Sequence, residues 1–534
     1  EDAAFATDRR ITNSEGAATS AQQSHFWAGN SRGFRGGYAS SRHSISVAPI
    51  AGRGAGMERD AWYSSMRNAL ALASPESVGR YAAERALSRL KSRKIATTQC
   101  PVLFESPLAA GLLGSGAALA DEQFIGLPSY RVGPYAAGGS GLFGGWIDYM
   151  QMINERDGGI NGVKLTWEEC ETEYNNTRGV ECYERLKKKG STGNTVFQPV
   201  STGITYSVLE KVAQDKIPMV TIGYGRTDAA DGRVFPWVFP MITTYWSQAS
   251  AIVNFMGQKE GGMDKLKGKK IGLLYHDSAY GKESHAIMDK LAAKHGFEVI
   301  KIAVAHPGNE QQSQWLQIRQ AKPDYVVLWG WGVMNPTAIK AAAKTGFPRE
   351  KLIGVWWSGA EEDTIPAGDA AKGYTTMTFN TPGNYPVIDE IRKKVYGGGK
   401  GNLADKDRIG SVYHMRGITA AMLWVEGIRN AQTKYGKGKV MTGEQIRWGL
   451  ENLNVDEGRQ KALGAFGMFP TVKTSCDDHE GSGATKVQVW DGKAWKAVTP
   501  NWVVGDRAMV QKLVAESSAK YAAEKKITAA CAAG

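Results

Sequence analysis

The stretch from Thr195 to Gly225, TVFQPVSTGITYSVLEKVAQDKIPMVTIGYG, reads as strand, loop, helix and strand. Val196 and Phe197 end a short apolar run, and Pro199-Val200-Ser201-Thr202-Gly203 has turn chemistry. Ile204, Val208, Leu209 and Val212 recur at helical spacing, and Ile217 to Ile222 reads as a buried strand that stops at Gly223. A Ser/Thr/Gly loop opening a helix presents N–H groups and the positive end of a dipole beside two hydroxyls, which suits a small carboxylate. Ser201 and Thr202 are equally ordinary helix caps, so cap and anion seat both stand at this point. The Gly223-Tyr224-Gly225 turn ends the next parallel strand and borders the same crevice, where open α/β sheets hold their ligands.

The same alternation fills the chain from Asp121 onward. Upstream, Gln123–Leu127 is a strand, Gly141–Arg156 a helix, Val163–Glu168 a strand and Arg178–Lys189 a helix. Downstream, a strand near Trp237–Pro240 leads to a helix over Gln248–Gln258. Strands over Lys270–Tyr275, Glu298–Val304, Tyr325–Trp329 and Leu352–Trp356 alternate with helices over Lys282–His295, Gln312–Ala321 and Thr337–Thr345. This spacing means parallel sheets covered on both faces. About nine such units are too many for one sheet, so the expected fold is α/β with two doubly wound domains.

The 534 residues carry a formal charge of +12. Residues 1–120 hold 14 Lys and Arg against 9 Asp and Glu, and the remainder 51 against 44. Neither part contains a dense basic tract, so nucleic acid is not required as a partner. No apolar run approaches the roughly 18 residues of a membrane span, so no direct membrane insertion is expected. There is no GxGxxG after a strand, no P-loop lysine and no GxSxG elbow, and the reading calls for no cofactor. Cys100, Cys170, Cys182, Cys476 and Cys531 form no CxxC pair, so a zinc site is not expected; Cys170 and Cys182 are placed to pair in an exported protein.

The first part of the chain differs in kind. It uses Arg in place of Lys, alternates around Tyr38 to Pro49 as strands do, and fits a helix over Pro75 to Leu90 with Val78, Ala82, Leu87 and Leu90 on one side. The segments RITNSEGA (Arg10 to Ala17), GNSRGFRGGYASSRHS (Gly29 to Ser44), GMERDAWYS (Gly56 to Ser64) and Ala83 to Lys94 resemble the TldD/PmbA family, the modulators of DNA gyrase, for about 115 residues. That resemblance implies a fragment from the middle of a two-subunit, cytoplasmic metalloprotease. The active subunit of that family carries a zinc-binding HExxxH helix, and no HExxxH occurs in this chain, so no enzyme activity is expected. A metalloprotease-related accessory protein is the alternative reading, and an interaction module with an exposed apolar patch is a third.

Between the two parts, Lys91, Arg93 and Lys94 precede a run of small apolar residues from Leu108 to Ala120 that ends Ala118-Leu119-Ala120. A basic flank, a short apolar core and an A-x-A site have the shape of a secretory signal, here internal; an Ala/Gly linker fits the composition equally. Two unrelated segments therefore meet near Gly114, with residues 116–120 as junction or signal remnant.

From about 121 to 500 the punctuation resembles the Leu/Ile/Val-binding type of ABC-transporter solute-binding protein. The residues that carry this are Val132-Gly133-Pro134, Asn154 to Gly162 (NERDGGING), Ser201-Thr202-Gly203, His276 to Gly281 (HDSAYG) and Lys322 to Val327 (KPDYVV). The resemblance implies a type I periplasmic-binding-protein fold, two doubly wound lobes with three hinge crossings near Pro240–Thr243, Thr378–Pro382 and Phe466–Thr471. Lobe one is then 121–241 plus 381–466 and lobe two 242–380 plus 467–505, with 506–534 an extra amphipathic helix and a frayed Ala-rich end. It implies periplasmic capture of a small-molecule ligand and delivery to the membrane permease of an ABC importer.

Position by position, the resemblance puts Ser201 on the ligand carboxylate, with the candidate Thr202 beside it, and Tyr224 and Gly225 in the loop that offers a carbonyl and a hydroxyl. Gly225 replaces a threonine, so that hydroxyl is lost unless Tyr224 supplies it. Tyr280 and Trp331 match aromatic positions of the second lobe. The acid that neutralises an α-ammonium belongs near Trp356, where the chain reads Trp356-Trp357-Ser358-Gly359-Ala360-Glu361-Glu362, so the acid is displaced to Glu361 or missing. A buried ammonium without a carboxylate costs several kcal/mol, and Tyr224, Tyr280, Trp331 and Trp356 offer rings for a flat apolar group or a cation. The expected ligand is a branched-chain amino acid or an aromatic or hydrophobic acid, with urea-type amides third. Trp356 and Trp357 also read as opposite faces of one buried strand, one of them simply core.

Overall fold

The structure, a computed structural model, describes residues 1–31, 33–93, 96, 103, 105, 106, 108, 109 and 122–531. The junction 116–120, the Ala118-Leu119-Ala120 site, Lys94, Cys100 and Arg32 lie outside the described residues. The chain divides into two compact units, Glu1–Glu105 and Ser106–Gly534.

The first unit is α+β. Strands β1 (Ile11–Gly29) and β2 (Arg35–Ala51) form a long antiparallel hairpin, and β2 also pairs with β3 (Glu58–Arg59) and β4 (Trp62–Met66). The helix Pro75–Ser88 starts on Pro at its first turn, with Ser74 Oγ accepting from Ser77 N–H at 3.2 Å. It buries Val78 and Ala82 against Val47, and Ala83 and Ala86 against Ile11 and Ala51. β1 escapes a reading by periodicity because its residues are small or polar and mostly exposed on both faces.

The second unit contains two parallel sheets with the same strand order. In the first, β5 (Glu122–Ser129) pairs with β6 (Lys164–Glu171), Phe197 bridges Gly126 and Met219, and β7 (Met219–Val220) pairs with β8 (Val238–Phe239). In the second, β9 (Lys270–His276) lies between β10 (Glu298–Val304) and β11 (Tyr325–Trp329), followed by β12 (Leu352–Gly354) and β13 (Thr375–Thr378). Each sheet runs second–first–third–fourth–fifth, so its direction of winding reverses beside the first strand, and the crevice at that reversal is where open sheets take ligands. A short ribbon of β14 (Asn454–Val455) and β15 (Val472–Lys473) follows, and β16 (Ala484–Trp490) then extends the second sheet antiparallel to β13. This is the two-lobed fold that the alternation predicts.

The chain crosses from the first lobe to the second after β8 and back after β13. Ile242 holds φ +72°, a conformation costly for a β-branched residue, and its C=O accepts from Gly483 N–H at 2.7 Å. At the second, Thr485 Oγ1 donates to Thr378 O at 2.8 Å and Asn380 Nδ2 donates to Thr419 Oγ1 at 2.8 Å. The third lies further along than Phe466–Thr471. β15 still pairs with β14, and His479 Nδ1–H donates to Val238 O at 2.7 Å while its ring stacks on Phe239. Only after His479 does the chain enter the second sheet, so residues 467–478 stay with lobe one.

The C-terminal segment is not frayed where it is described. The helix Arg507–Lys525 touches both lobes: Ser518 Oγ donates to Asp231 Oδ2 at 2.9 Å, Tyr521 stacks on Phe235, and Lys290 pairs with Glu516 at 3.0 Å. Disulfides join Cys476 to Cys531 and Cys170 to Cys182. The 55-residue separation of the first pair makes it the larger constraint on the unfolded chain.

Candidate functional site

The cleft between the lobes is built from residues that follow the ends of parallel strands. Tyr174 follows β6, Val200 and Thr202 follow the Phe197 strand, and Tyr224 follows β7. Tyr245 opens the helix after the first crossing, and Tyr280, Trp331 and Trp357 follow β9, β11 and β12. Together they line a narrow cavity. A second, wider hollow adjoins it, sharing Tyr174 and Tyr280 and lined also by Ser201, Gly203, His276 and His306.

Strain and hydroxyl chemistry shape the inner cavity. Val200 adopts φ +45°, rare for a β-branched residue, and Tyr174 adopts φ +59°. The Val200 conformation is held from two sides: its N–H donates to Tyr224 Oη at 2.8 Å and its C=O accepts from Tyr130 Oη at 3.2 Å. Tyr224 Oη in turn donates to Val220 O at 3.1 Å, and Tyr280 Oη donates to Gly330 O at 2.9 Å. Burial holds the Tyr224, Tyr245 and Tyr280 phenols well above their ordinary range, so they stay neutral. None of the eight lining residues carries a charge.

The residues singled out in the sequence distribute as follows. Thr202, Tyr224, Tyr280 and Trp331 line the inner cavity, and Ser201 lines the adjoining hollow. Ser201 Oγ caps its helix, accepting from Ile204 N–H at 3.3 Å, and Thr202 Oγ1 accepts from Gly225 N–H at 3.3 Å. Gly225 lines neither space. The Tyr224 hydroxyl is committed to backbone groups and does not replace the lost threonine hydroxyl.

Trp356 and Glu361 need correction. β12 ends at Gly354, and Trp356 and Trp357 sit in a turn of 3₁₀ helix, so they do not face opposite sides of a strand. Both indoles donate to the same acceptor, Gly223 O, at 2.8 Å, but Trp356 is wholly buried against Tyr245 and Phe379 and only Trp357 lines the cavity. Glu361 Oε2 accepts from Val412 N–H at 2.9 Å, at the start of the helix Val412–Tyr435. A carboxylate is favoured at that positive end, and this holds Glu361 out of the cavity.

Tyr174, Val200, Tyr245 and Trp357 were not singled out, nor was the layer behind them. Arg416, 1% exposed, donates from Nη1 to Trp356 O at 2.5 Å and lies 4.9–5.3 Å from the Trp357, Phe379 and Tyr413 rings. Asp363 accepts from Asn335 Nδ2 at 2.8 Å and from Tyr413 Oη at 3.1 Å, and burial pushes its carboxyl up to about 7. Arg416, set among apolar residues in the first turns of the helix Val412–Tyr435, is the signal in the sequence that marks this layer.

One carboxylate bridges the lobes at the cleft's edge. Glu283 of the second lobe accepts from Tyr206 Oη and from Thr227 N–H at 3.3 Å and Oγ1 at 3.1 Å, all on the first lobe. Loss of surrounding water pushes its carboxyl up to about 8. In open lobes it returns toward the ordinary carboxylate range, so closure takes up a proton and is opposed as pH rises between that range and 8. Ligand affinity is therefore expected to fall about tenfold or more from pH 6 to pH 8, read by calorimetry. Glu283→Gln should flatten the profile; an unchanged slope would exclude Glu283 as its source.

Comparison with known proteins agrees with this geometry. The family model described as periplasmic binding protein matches residues 122–494, and that of the PmbA/TldA metallopeptidase central domain matches residues 1–90. A crystal structure named an ABC transporter permease from the Pseudomonas fluorescens group is 47% identical, with TM-score 0.72, covering 78% of this chain and 100% of that one. A branched-chain amino acid ABC transporter protein from Thermus thermophilus with bound valine is 21% identical, with TM-score 0.61, over 73% of this chain and 99% of that one. A solute-binding protein of R. palustris in complex with benzoate is 20% identical, with TM-score 0.56, over 72% of this chain and 97% of that one. At those two identities the likeness is one of fold. Metalloprotease PmbA of Escherichia coli O157:H7 is 44% identical over 114 residues, 21% of this chain and 25% of that protein. The chain thus spans about a quarter of the length of the metalloproteases it matches. With more than two thirds of its residues matched by one model, and its lobes and cleft built as that fold requires, this chain belongs to the periplasmic binding protein family.

Proposed function

We propose that residues 122–505 form the extracytoplasmic solute-binding component of an ABC importer, and that the lobes close on one small carboxylate with no N–H-bearing ammonium. The single observation that carries this is the uncharged wall of the inner cavity beside the Ser201–Thr202 helix start. A primary ammonium buried there would face no carboxylate, because Glu361 is bound to Val412 N–H. Valine and benzoate, the ligands of the Thermus and R. palustris proteins, share a carboxylate and differ in the ammonium. Two disulfides favour an oxidising compartment outside the cytoplasm. The PmbA-like segment carries no HExxxH and adds no proteolysis.

A thermal-shift series tests this, with carboxylates lacking an ammonium set against leucine, valine and simple amides. Such a carboxylate at a hundredfold excess over its Kd is expected to add about 2.7 kcal/mol of stability, and Glu361→Gln should leave that gain unchanged. Stabilisation confined to leucine and valine, or to the amides, would overturn the reading.

A further inference from the structure

The cavity wall is a box of rings set at steep angles. Trp331 stands 5.4 Å from Trp357 at 82°, Tyr224 stands 6.3 Å from Trp357 at 69°, and Tyr245 stands 5.3 Å from Tyr280 at 48°. A flat aromatic ligand gains from offset-stacked or edge-to-face contact with such rings. Six aromatic side chains around one compact space also offer ring faces to a cation without N–H groups. The polar ends of three of these rings are turned away from the ligand's needs: Tyr224, Tyr280 and Trp357 donate to the carbonyls of Val220, Gly330 and Gly223.

Two further observations set the rest of the ligand. Trp331, 3% exposed, has an indole N–H that, among the described residues, meets no acceptor. Such a buried donor calls for an acceptor oxygen. The wall also carries no net charge. A net anion buried against it would be uncompensated, whereas a zwitterion is neutral as a whole.

We infer that the ligand is a small carboxylate bearing a quaternary ammonium group, its alkylated cation in the ring box and its carboxylate between the Trp331 N–H and the Thr202 helix start. This rests on the carboxylate reading of the same cleft. A quaternary ammonium is weakly hydrated and has no N–H to satisfy, so it needs no acidic partner, unlike an α-amino acid.

Calorimetry on the full chain with trimethylammonioacetate, N,N-dimethylglycine, glycine, choline and benzoate decides it. Trimethylammonioacetate is expected to bind at least a hundredfold tighter than glycine and tenfold tighter than choline. Trp331→Leu should weaken it tenfold or more, and Trp331→Phe, which keeps a ring but loses the N–H donor, should fall between the native chain and Trp331→Leu. Binding of benzoate but not of trimethylammonioacetate would overturn this inference and leave the carboxylate reading standing. Choline as tight as trimethylammonioacetate would remove the carboxylate's role and with it both readings. Binding of none of the five also ends both.

Discussion

Replacing Arg416 with alanine is expected to lower the unfolding free energy by about 3–5 kcal/mol, the cost of removing one member of a buried charged layer. Its guanidinium is fixed by Trp356 O and packed among three rings, and it supplies the positive potential felt by Asp363, Glu361 and Glu362. Burial already pushes Asp363 up to about 7 and Glu362 up to about 8. Carboxyls raised in the folded state contribute stability at low pH that is lost as pH rises from the unfolded carboxylate range through those values. The alanine variant should therefore suffer more at pH 8 than at pH 5. Arg416→Met, which keeps most of the volume, should recover part of the loss, because it leaves a smaller cavity than alanine does. Denaturant melts at the two pH values measure this; a loss under about 1 kcal/mol would mean the layer is not held by Arg416.

The second large effect separates two neighbouring tryptophans. Trp356→Ala and Trp357→Ala should each cost about 3–5 kcal/mol, since each removes a buried indole. Their consequences for ligand should differ. Trp356 reaches no part of the cavity, so its variant, once folded, should bind with near-unchanged affinity. Trp357 forms part of the wall, so its variant should bind at least about tenfold more weakly, the loss of one aromatic contact in a dry site. The conservative Trp356→Phe and Trp357→Phe pair keeps the core filled and isolates the binding term. Equal loss of affinity in both would mean that Gly223 O, their shared acceptor, sets the cavity's shape more than either ring does.

Some of this was legible along the chain because it is local. Strand–helix alternation at regular spacing is a property of neighbours in sequence, and it is enough to require parallel sheets, hence two wound lobes and a crevice at the strand ends. Ser201-Thr202-Gly203 before a helical repeat, and a strand stopping at Gly223, likewise place a helix start beside a turn with no tertiary information. The motif at His276–Gly281 marks the partner loop in the same local way.

What the sequence alone left open depends on where pairing stops and on which distant segments meet. Trp356 and Trp357 read as a continued strand, but β12 ends at Gly354 because only three residues pair with its neighbours, and the turn that follows decides which indole meets the cavity. Glu361 lies close in sequence to the expected acid, yet the helix start at Val412, 51 residues away, claims its carboxylate. Tyr174 and Tyr245 carry no mark of their own; they become walls only when the first lobe closes on the second. Local periodicity sets the type of an element and the face it buries. The identity of the residues around a cavity is set by contacts between segments far apart in the chain, and only the packed lobes supply those.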